Sequence, residues 1–475
     1  MDDDVSQEIK IRRRKRAIKV AITEGLMVVA VIALVLATTL IAIGYNLNPG
    51  KDWAIERTGL VQIQTLPTGA NVTLDGNMLF GWTNLSRSMS EGEHEIVISK
   101  DKYDSWTKNI TVTAGLYYRL NYPRLFLLER ETKEVADFSK MQVVSFAKDG
   151  NLMLAIPAGS TTWELYRINE EKPTKTELKV DGLFSGAEAG KFSGEVEILG
   201  WSGNNERVLL FVNGEYVLLD VKKYEASVNL TQKFGSVFLG MKIANDAASE
   251  IFALDGASLR KIDVETGEIS GVLVSGVESF DNLKGDVVFV TEKDEDGIVK
   301  VGVYRKGDKG VTILAETEDK NKVLAVMGEY YGQYYVLVAA DEEIEVFSGK
   351  KLPSFGEDEE MELVLDEKIE FTPKKLEVSG GGELMLAVNG TERAVFDVEV
   401  MDVVKITTLF ETEWLDEYML YGVSEGKLGV MDFDGENYRV LAEDAKTGTE
   451  VKISKNNKWL YYLDVDNKLM RVQIN

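Results

Sequence analysis

The chain of 475 residues contains no cysteine, a single histidine (His94) and seven prolines. Without cysteine there can be no disulfide and no tether through a lipidated thiol, so stability has to come from burial. Cations are also scarce, with 54 Lys and Arg against 79 Asp and Glu, a formal charge of −25. The first 24 residues hold seven Lys/Arg and five Asp/Glu, which leaves 47 against 74, or −27, for the remainder. A surface this acidic lacks the positive footprint that nucleic acid requires and does not settle on anionic lipid. It suits solubility, weak binding of divalent cations or a cationic partner.

What is present begins with one long apolar run. Leu26 to Gly44 carries no charge over 19 positions and follows Arg12-Arg13-Arg14-Lys15-Arg16. About 20 apolar residues at ~1.5 Å rise cross a hydrocarbon core of roughly 30 Å, and flanking cations hold their side in the cytoplasm. The expected order is a cytoplasmic basic tail (1–24), a transmembrane helix (25–45), a linker (46–58) and an extracytoplasmic remainder. Ala42-Ile43-Gly44 leaves a cleaved signal peptide open as the alternative. The run exceeds the usual ~7–15 residues of a signal segment, which favours retention and a lipid bilayer as first partner.

From Leu60 to Leu120 the pattern is that of a small antiparallel sandwich. Val61-Gln62-Ile63-Gln64 alternates, Pro67-Thr68-Gly69-Ala70 turns, Asn71-Val72-Thr73-Leu74 alternates again and Asp75-Gly76 turns. Glu91 to Ile98 and Trp106 to Val112 read as two further strands. With Gly81-Trp82-Thr83, Gly92-Glu93-His94 and Tyr103, these residues resemble the PEGA family of small surface β-domains. The departures are Asn84, where proline often follows the threonine, and Lys102, where glycine often precedes the tyrosine. The resemblance covers about 60 residues, expected as a domain at 59–121, and implies an extracytoplasmic, non-catalytic module. Trp82, His94, Tyr103 and Trp106 are the candidate ligand-contact residues, an aromatic surface for sugar or peptide, with core packing as the competing role.

Beyond Tyr122 the sequence repeats. Apolar strand cores start at Leu152, Val208, Ile251, Val287, Tyr335, Leu384, Met419 and Leu460, a mean spacing of 44 residues. Propeller blades of four strands run to roughly 40–50 residues. The expectation for 122–475 is a β-propeller of about eight blades, with seven left open. Arg124 to Leu128 is expected to supply the strand missing from the last blade. Leu428 to Leu441, with its Asp432-Phe433-Asp434-Gly435 turn, resembles the blades of TolB-type propellers, which implies an exported interaction platform. The fold class is thus an all-β ectodomain, a small sandwich plus a propeller, on one N-terminal helix.

Catalysis is not expected. A Ser-His-Asp or Cys-His site in the propeller would need a base that the propeller lacks, and zinc would need ligands that are absent. No cofactor or metal is expected; Ca²⁺ is a weak alternative at Asp294-Glu295-Asp296-Gly297, Asp432 to Glu436 and Asp464-Val465-Asp466-Asn467, none of which completes an EF-hand loop. The acidic stretches Asp341-Glu342-Glu343 and Glu357 to Glu360 fall at an insertion in the fifth blade. Asn71, Asn84, Asn109, Asn229 and Asn389 head glycosylation sequons. The favoured function is a non-catalytic, membrane-anchored envelope scaffold whose partner is a cell-envelope protein or glycan. A structural spacer in a membrane complex and a carboxylate-based glycan hydrolase are the alternatives.

Overall fold

The computed structural model describes residues 2–48, 54–169, 171–188, 190–318, 320–357 and 360–475. These form two compact units, Met1–Glu129 and Arg130–Asn475.

The first unit opens with helix α1, Asp2–Ala42. No proline and only one glycine, Gly25, interrupt it, so the helix runs through the basic segment expected to be a tail. Among the described side chains of its apolar part, Ile18–Ile41, none is covered by protein, as a membrane span or signal sequence requires. Gly44, at φ +91°, turns the chain into strand β1, Tyr45–Asn48.

The strands that follow are β2 (Ala54–Ile63), β3 (Asn71–Leu74), β4 (Asn77–Met78), β5 (Leu85–Ser90), β6 (Gly92–Ser99), β7 (Trp106–Val112) and β8 (Tyr117–Leu120). One sheet joins β1, β5 and β8 to β2; the other runs β4-β3-β6-β7. Alternate residues of the two sheets meet in a core of Val61, Ile63, Val72, Ile96, Ile98 and Trp106. The expected linker is mostly strand, because β1 pairs with the start of β2 from Tyr45↔Arg57 to Asn48↔Ala54; residues 49–53 lie outside the described set.

The segment 124–128 does not close the propeller. It stays in the first unit, bridged as Leu66↔Arg124 and Tyr103↔Leu127, with Leu125 and Phe126 buried. Leu125 is already used by the small core, so the unit ends later than residue 121. The closing strand is β9, Thr132–Asp137, which pairs antiparallel with the last strand of the chain, Lys468–Gln473.

In the second unit the described residues form eight four-stranded antiparallel sheets in chain order, the last completed by β9. Each of the eight apolar cores read from the sequence lies in the second strand of one sheet. That strand is covered on both faces by neighbouring sheets, so it reads as a continuous apolar run rather than an alternation. The first and last sheets share a core in which Phe146 and Met153 meet Trp459 and Tyr461, as a closed β-propeller requires.

A second repeat marks the turns that follow the third strands. Asp220, Asp263 and Asp397 end third strands, and in each one carboxylate oxygen accepts two backbone N–H groups of the following turn. Asp432, at the same place in the seventh sheet, accepts from the Asn437 side chain. These aspartates shape turns in the way Asx motifs do.

Candidate functional sites

The structure separates the four candidate residues of the small domain. Trp106 is fully buried, and its ring meets Tyr122 edge-on at 5.8 Å. Tyr103 is half-buried and packs against the same core. Only Trp82 is outside, 70% exposed, on the loop between β4 and β5 with Phe80 at 94%, next to Met78 at 70% at the end of β4. The expected four-residue surface is therefore not formed: Trp106 is a core residue, and the exposed aromatic ridge is Phe80 with Trp82. Phe80 was not legible as a site residue, since one aromatic in a turn carries no periodic signal.

His94 sits in an arrangement that resembles a catalytic triad. Its Nδ1 lies 2.7 Å from Asp75 Oδ2, and its Nε2 lies 3.3 Å from Ser90 Oγ and 2.7 Å from the Ser90 carbonyl oxygen. A carbonyl oxygen can only accept, so Nε2 donates to it, while Nδ1 donates to the carboxylate. With both nitrogens donating, the ring is an imidazolium and has no lone pair to take a proton from Ser90. Burial pulls its pKa down, but the Asp75 and Ser90 hydrogen bonds outweigh this and hold it above the ordinary histidine value. The bond from His94, and next the Glu95 backbone N–H, lowers the Asp75 pKa. Two elements of the PEGA-type pattern, Asp75-Gly76 and Gly92-x-His94, thus form a clasp that ties the β3–β4 turn to β6.

The three acidic turns considered for calcium are closed by their own backbone. Asp294 Oδ1 accepts from Asp296 and Ile298, and Asp464 Oδ1 from Asp466 and Lys468. Asp434 Oδ1 accepts from Glu436. Asn229 is also engaged, capping the helix Leu230–Phe234 and donating to Glu215 and to the Leu183 carbonyl.

In the propeller the sixth and seventh sheets and the segment leading into the eighth line an open cavity of about 500 Å³. Arg393, 1% exposed, forms part of its wall. The guanidinium donates to Thr412 Oγ1 and the Thr412 carbonyl, each at 3.0 Å, and to the carbonyls of Gly390 and Glu392. Lys375 Nζ, at the rim, pairs with Glu377 at 2.5 Å. Tyr421 donates to Glu413 at 2.7 Å and accepts from the Val451 N–H at 3.2 Å. Glu411 and Glu413, also in the wall, form no ion pair among the described residues. Glu450, which precedes Val451, accepts the Phe146 N–H, and burial raises its pKa.

A second carboxylate group joins three sheets. Tyr418 of the seventh donates to Glu383 of the sixth at 2.6 Å, and Tyr330 of the fifth donates to Glu399 at 2.8 Å. Burial, with like charge from Asp397 and Glu399 and against the bond from Tyr418, pushes Glu383 up to about 7. Burial likewise pushes Asp397 up to about 6.

Residues 58–124 match the family model of the PEGA domain. No curated protein matches the chain. Among solved structures, the Dos1 propeller is 14% identical over 73% of this chain and 94% of its own, with a TM-score of 0.42. The oligogalacturonate lyase of Vibrio parahaemolyticus is 9% identical over 73% and 97%, with a TM-score of 0.39. With likeness this distant, the propeller assignment stands on the sheet order and the β9 closure. The chain is a PEGA domain followed by a β-propeller, behind one apolar N-terminal helix.

Proposed function

We propose that this protein is a non-catalytic, membrane-anchored scaffold of the cell envelope, with α1 retained in the bilayer, its N-terminus cytoplasmic and both β units outside. The observation that carries the reading is the path of the chain through the small domain. The helix joins at one end, where the Thr58 N–H donates to Gly44 and the Gly115 N–H to Thr58. β2 then leads from Thr58 to Ile63, about 17 Å at ~3.3 Å per residue. β8 runs parallel to β2 from Leu60↔Tyr117 to Ile63↔Leu120, so the chain leaves towards the propeller at the far end. The loop carrying Phe80 and Trp82 is at that far end too, since Ile63 pairs with Leu85.

The helix thus joins the small domain at one end, and Phe80 and Trp82 lie on a loop at the other. Charge divides the labour further. Residues 58–124 hold six acidic and six basic side chains, whereas 130–475 hold 65 and 39. The neutral domain is the part suited to approach wall or surface material, and the acidic propeller suits an exported protein or glycan partner rather than nucleic acid. The absence of catalysis is supported by His94, the only imidazole of the chain, whose nitrogens are both committed as donors.

The test is co-sedimentation of the purified protein with cell-wall sacculi, together with identification of proteins crosslinked to it in native membranes. Wall binding that W82A abolishes supports the reading. A protein that binds no wall material and crosslinks to no neighbour refutes it.

A further inference from the structure

We infer that the cavity lined by the sixth and seventh sheets and the segment leading into the eighth is a binding site for an amino sugar: a hydroxyl-bearing ligand with a free primary ammonium. The inference deepens the scaffold reading and rests on it. Arg393 is 1% exposed, and four of the five N–H donors of a guanidinium are taken by Thr412 and by backbone carbonyls. Its cation is therefore fixed in the wall without a carboxylate partner within bonding distance, and one N–H on Nη2 is left for an acceptor. Lys375 is committed to Glu377.

The opposite charge is only partly answered: Glu377 and Glu411 act through space on Arg393, and Glu413 has no cation among the described residues. Glu411 and Glu413 line the same cavity with no ion pair among the described residues. Tyr421 holds Glu413 by one oxygen, Oε2, and its own oxygen is held by the Val451 N–H. This leaves Oε1 of a pre-oriented carboxylate for a ligand donor. Thr447 and Thr449, on the segment that leads into the eighth sheet, also line the cavity; the Thr449 hydroxyl donates to the Lys446 carbonyl at 2.8 Å and so is left as an acceptor.

A ligand that satisfies this wall brings a cation for Glu411 and Glu413, an acceptor for Arg393, and further hydroxyls for the threonines. The volume of about 500 Å³ lies within the range of small-molecule sites, roughly 300–1,000 Å³. An amino sugar, free or at the end of a glycan, has each of these groups within one ring. An N-acetylated sugar offers the hydroxyls but no cation, and a simple anion would meet two carboxylates.

The experiment is titration of the full-length protein in detergent micelles with glucosamine and its β-1,4-linked dimer, read by calorimetry. The N-acetylated counterparts and a tri-lysine peptide are run beside them. A charge-assisted hydrogen bond carries a factor of about 10 to 100 in affinity. The expected result is binding of the amino sugars, at least 10-fold weaker for the acetylated forms and for the peptide. E413Q and, separately, E411Q weaken amino-sugar binding by about 10-fold or more, with melting temperatures unchanged. Equal affinity for acetylated sugar, equal affinity for tri-lysine, or no effect of either substitution overturns the inference. Sacculus binding that persists while the amino sugars fail to bind overturns the inference and leaves the scaffold reading standing. Loss of sacculus binding and of all crosslinks removes the scaffold reading instead.

Discussion

Gly150→Ala probes whether the propeller ring closes where the first sheet meets the last. Gly150 lies at φ +65°, and a Cβ on it would overlap the carbonyl oxygen of Ile453, 303 positions further along the chain. Two costs add. Alanine at positive φ loses about 1 kcal/mol relative to glycine. Displacing a backbone carbonyl in a packed turn costs about 1–3 kcal/mol more. Gly182→Ala isolates the first cost, since Gly182 sits at φ +73° with no heavy atom within 4 Å of its Cβ direction. At roughly 2 °C per kcal/mol for a large domain, G150A lowers the melting temperature by about 4–8 °C and G182A by about 2 °C. Differential scanning fluorimetry at a fixed heating rate on the full chain measures both. Equal shifts would refute the reasoning, because the turn at Gly150 would then have no partner at Ile453 and the β9 closure would not bring the two ends of the propeller together.

The core and surface roles in the small domain separate on substitution: W106A removes a fully buried ring and costs about 3–5 kcal/mol, whereas W82A stays within about 0.5 kcal/mol by chemical denaturation. Because the chain has one histidine, its ¹⁵N-imidazole NMR signal is unambiguous; it should titrate above the usual histidine range with both nitrogens protonated below that point, and D75N should move it down. The clasp's contribution to stability is present below the ordinary histidine pKa and is lost as pH rises through the raised one. At the acid end it is present above the ordinary Asp75 pKa and is lost as pH falls through the lowered one. A pH–stability profile of H94Q parallel to that of the native protein would contradict this. Glu383 has the opposite consequence for a carboxylate: its folded pKa of about 7 exceeds the unfolded value, so the native state loses stability as pH rises from about 4.5 through 7. E383Q should flatten the pH dependence of melting in that window, and an unchanged slope would show that the Tyr418–Glu383 contact is solvated rather than buried.

The features legible in the sequence were those that depend on local pattern. A charge-free run behind a block of cations specifies an apolar helix, because bilayer thickness and backbone hydrogen bonding act on composition alone. The eight apolar cores were equally legible, since a strand covered on both faces leaves the same continuous apolar signature wherever it occurs. Asp75, Gly76 and His94 were visible as pieces of a pattern, but not as a clasp. Residues that meet across sheets were not legible. Leu125 and Phe126 read as well for a closing strand as for a core segment, and the packing of the small domain decided between them. Thr132–Asp137 has four polar residues of six, as an outermost strand can, and so carried little signal. Trp82 and Trp106 are the same residue type in neighbouring strands and loops, yet one is outside and the other at the centre of the core. Arg393, Glu413 and Tyr421 converge only because the sixth and seventh sheets lie side by side around a ring. Local sequence determines which segments become strands and which turn; only tertiary packing selects the partner each one faces, because contacts between distant segments depend on closure of the whole chain.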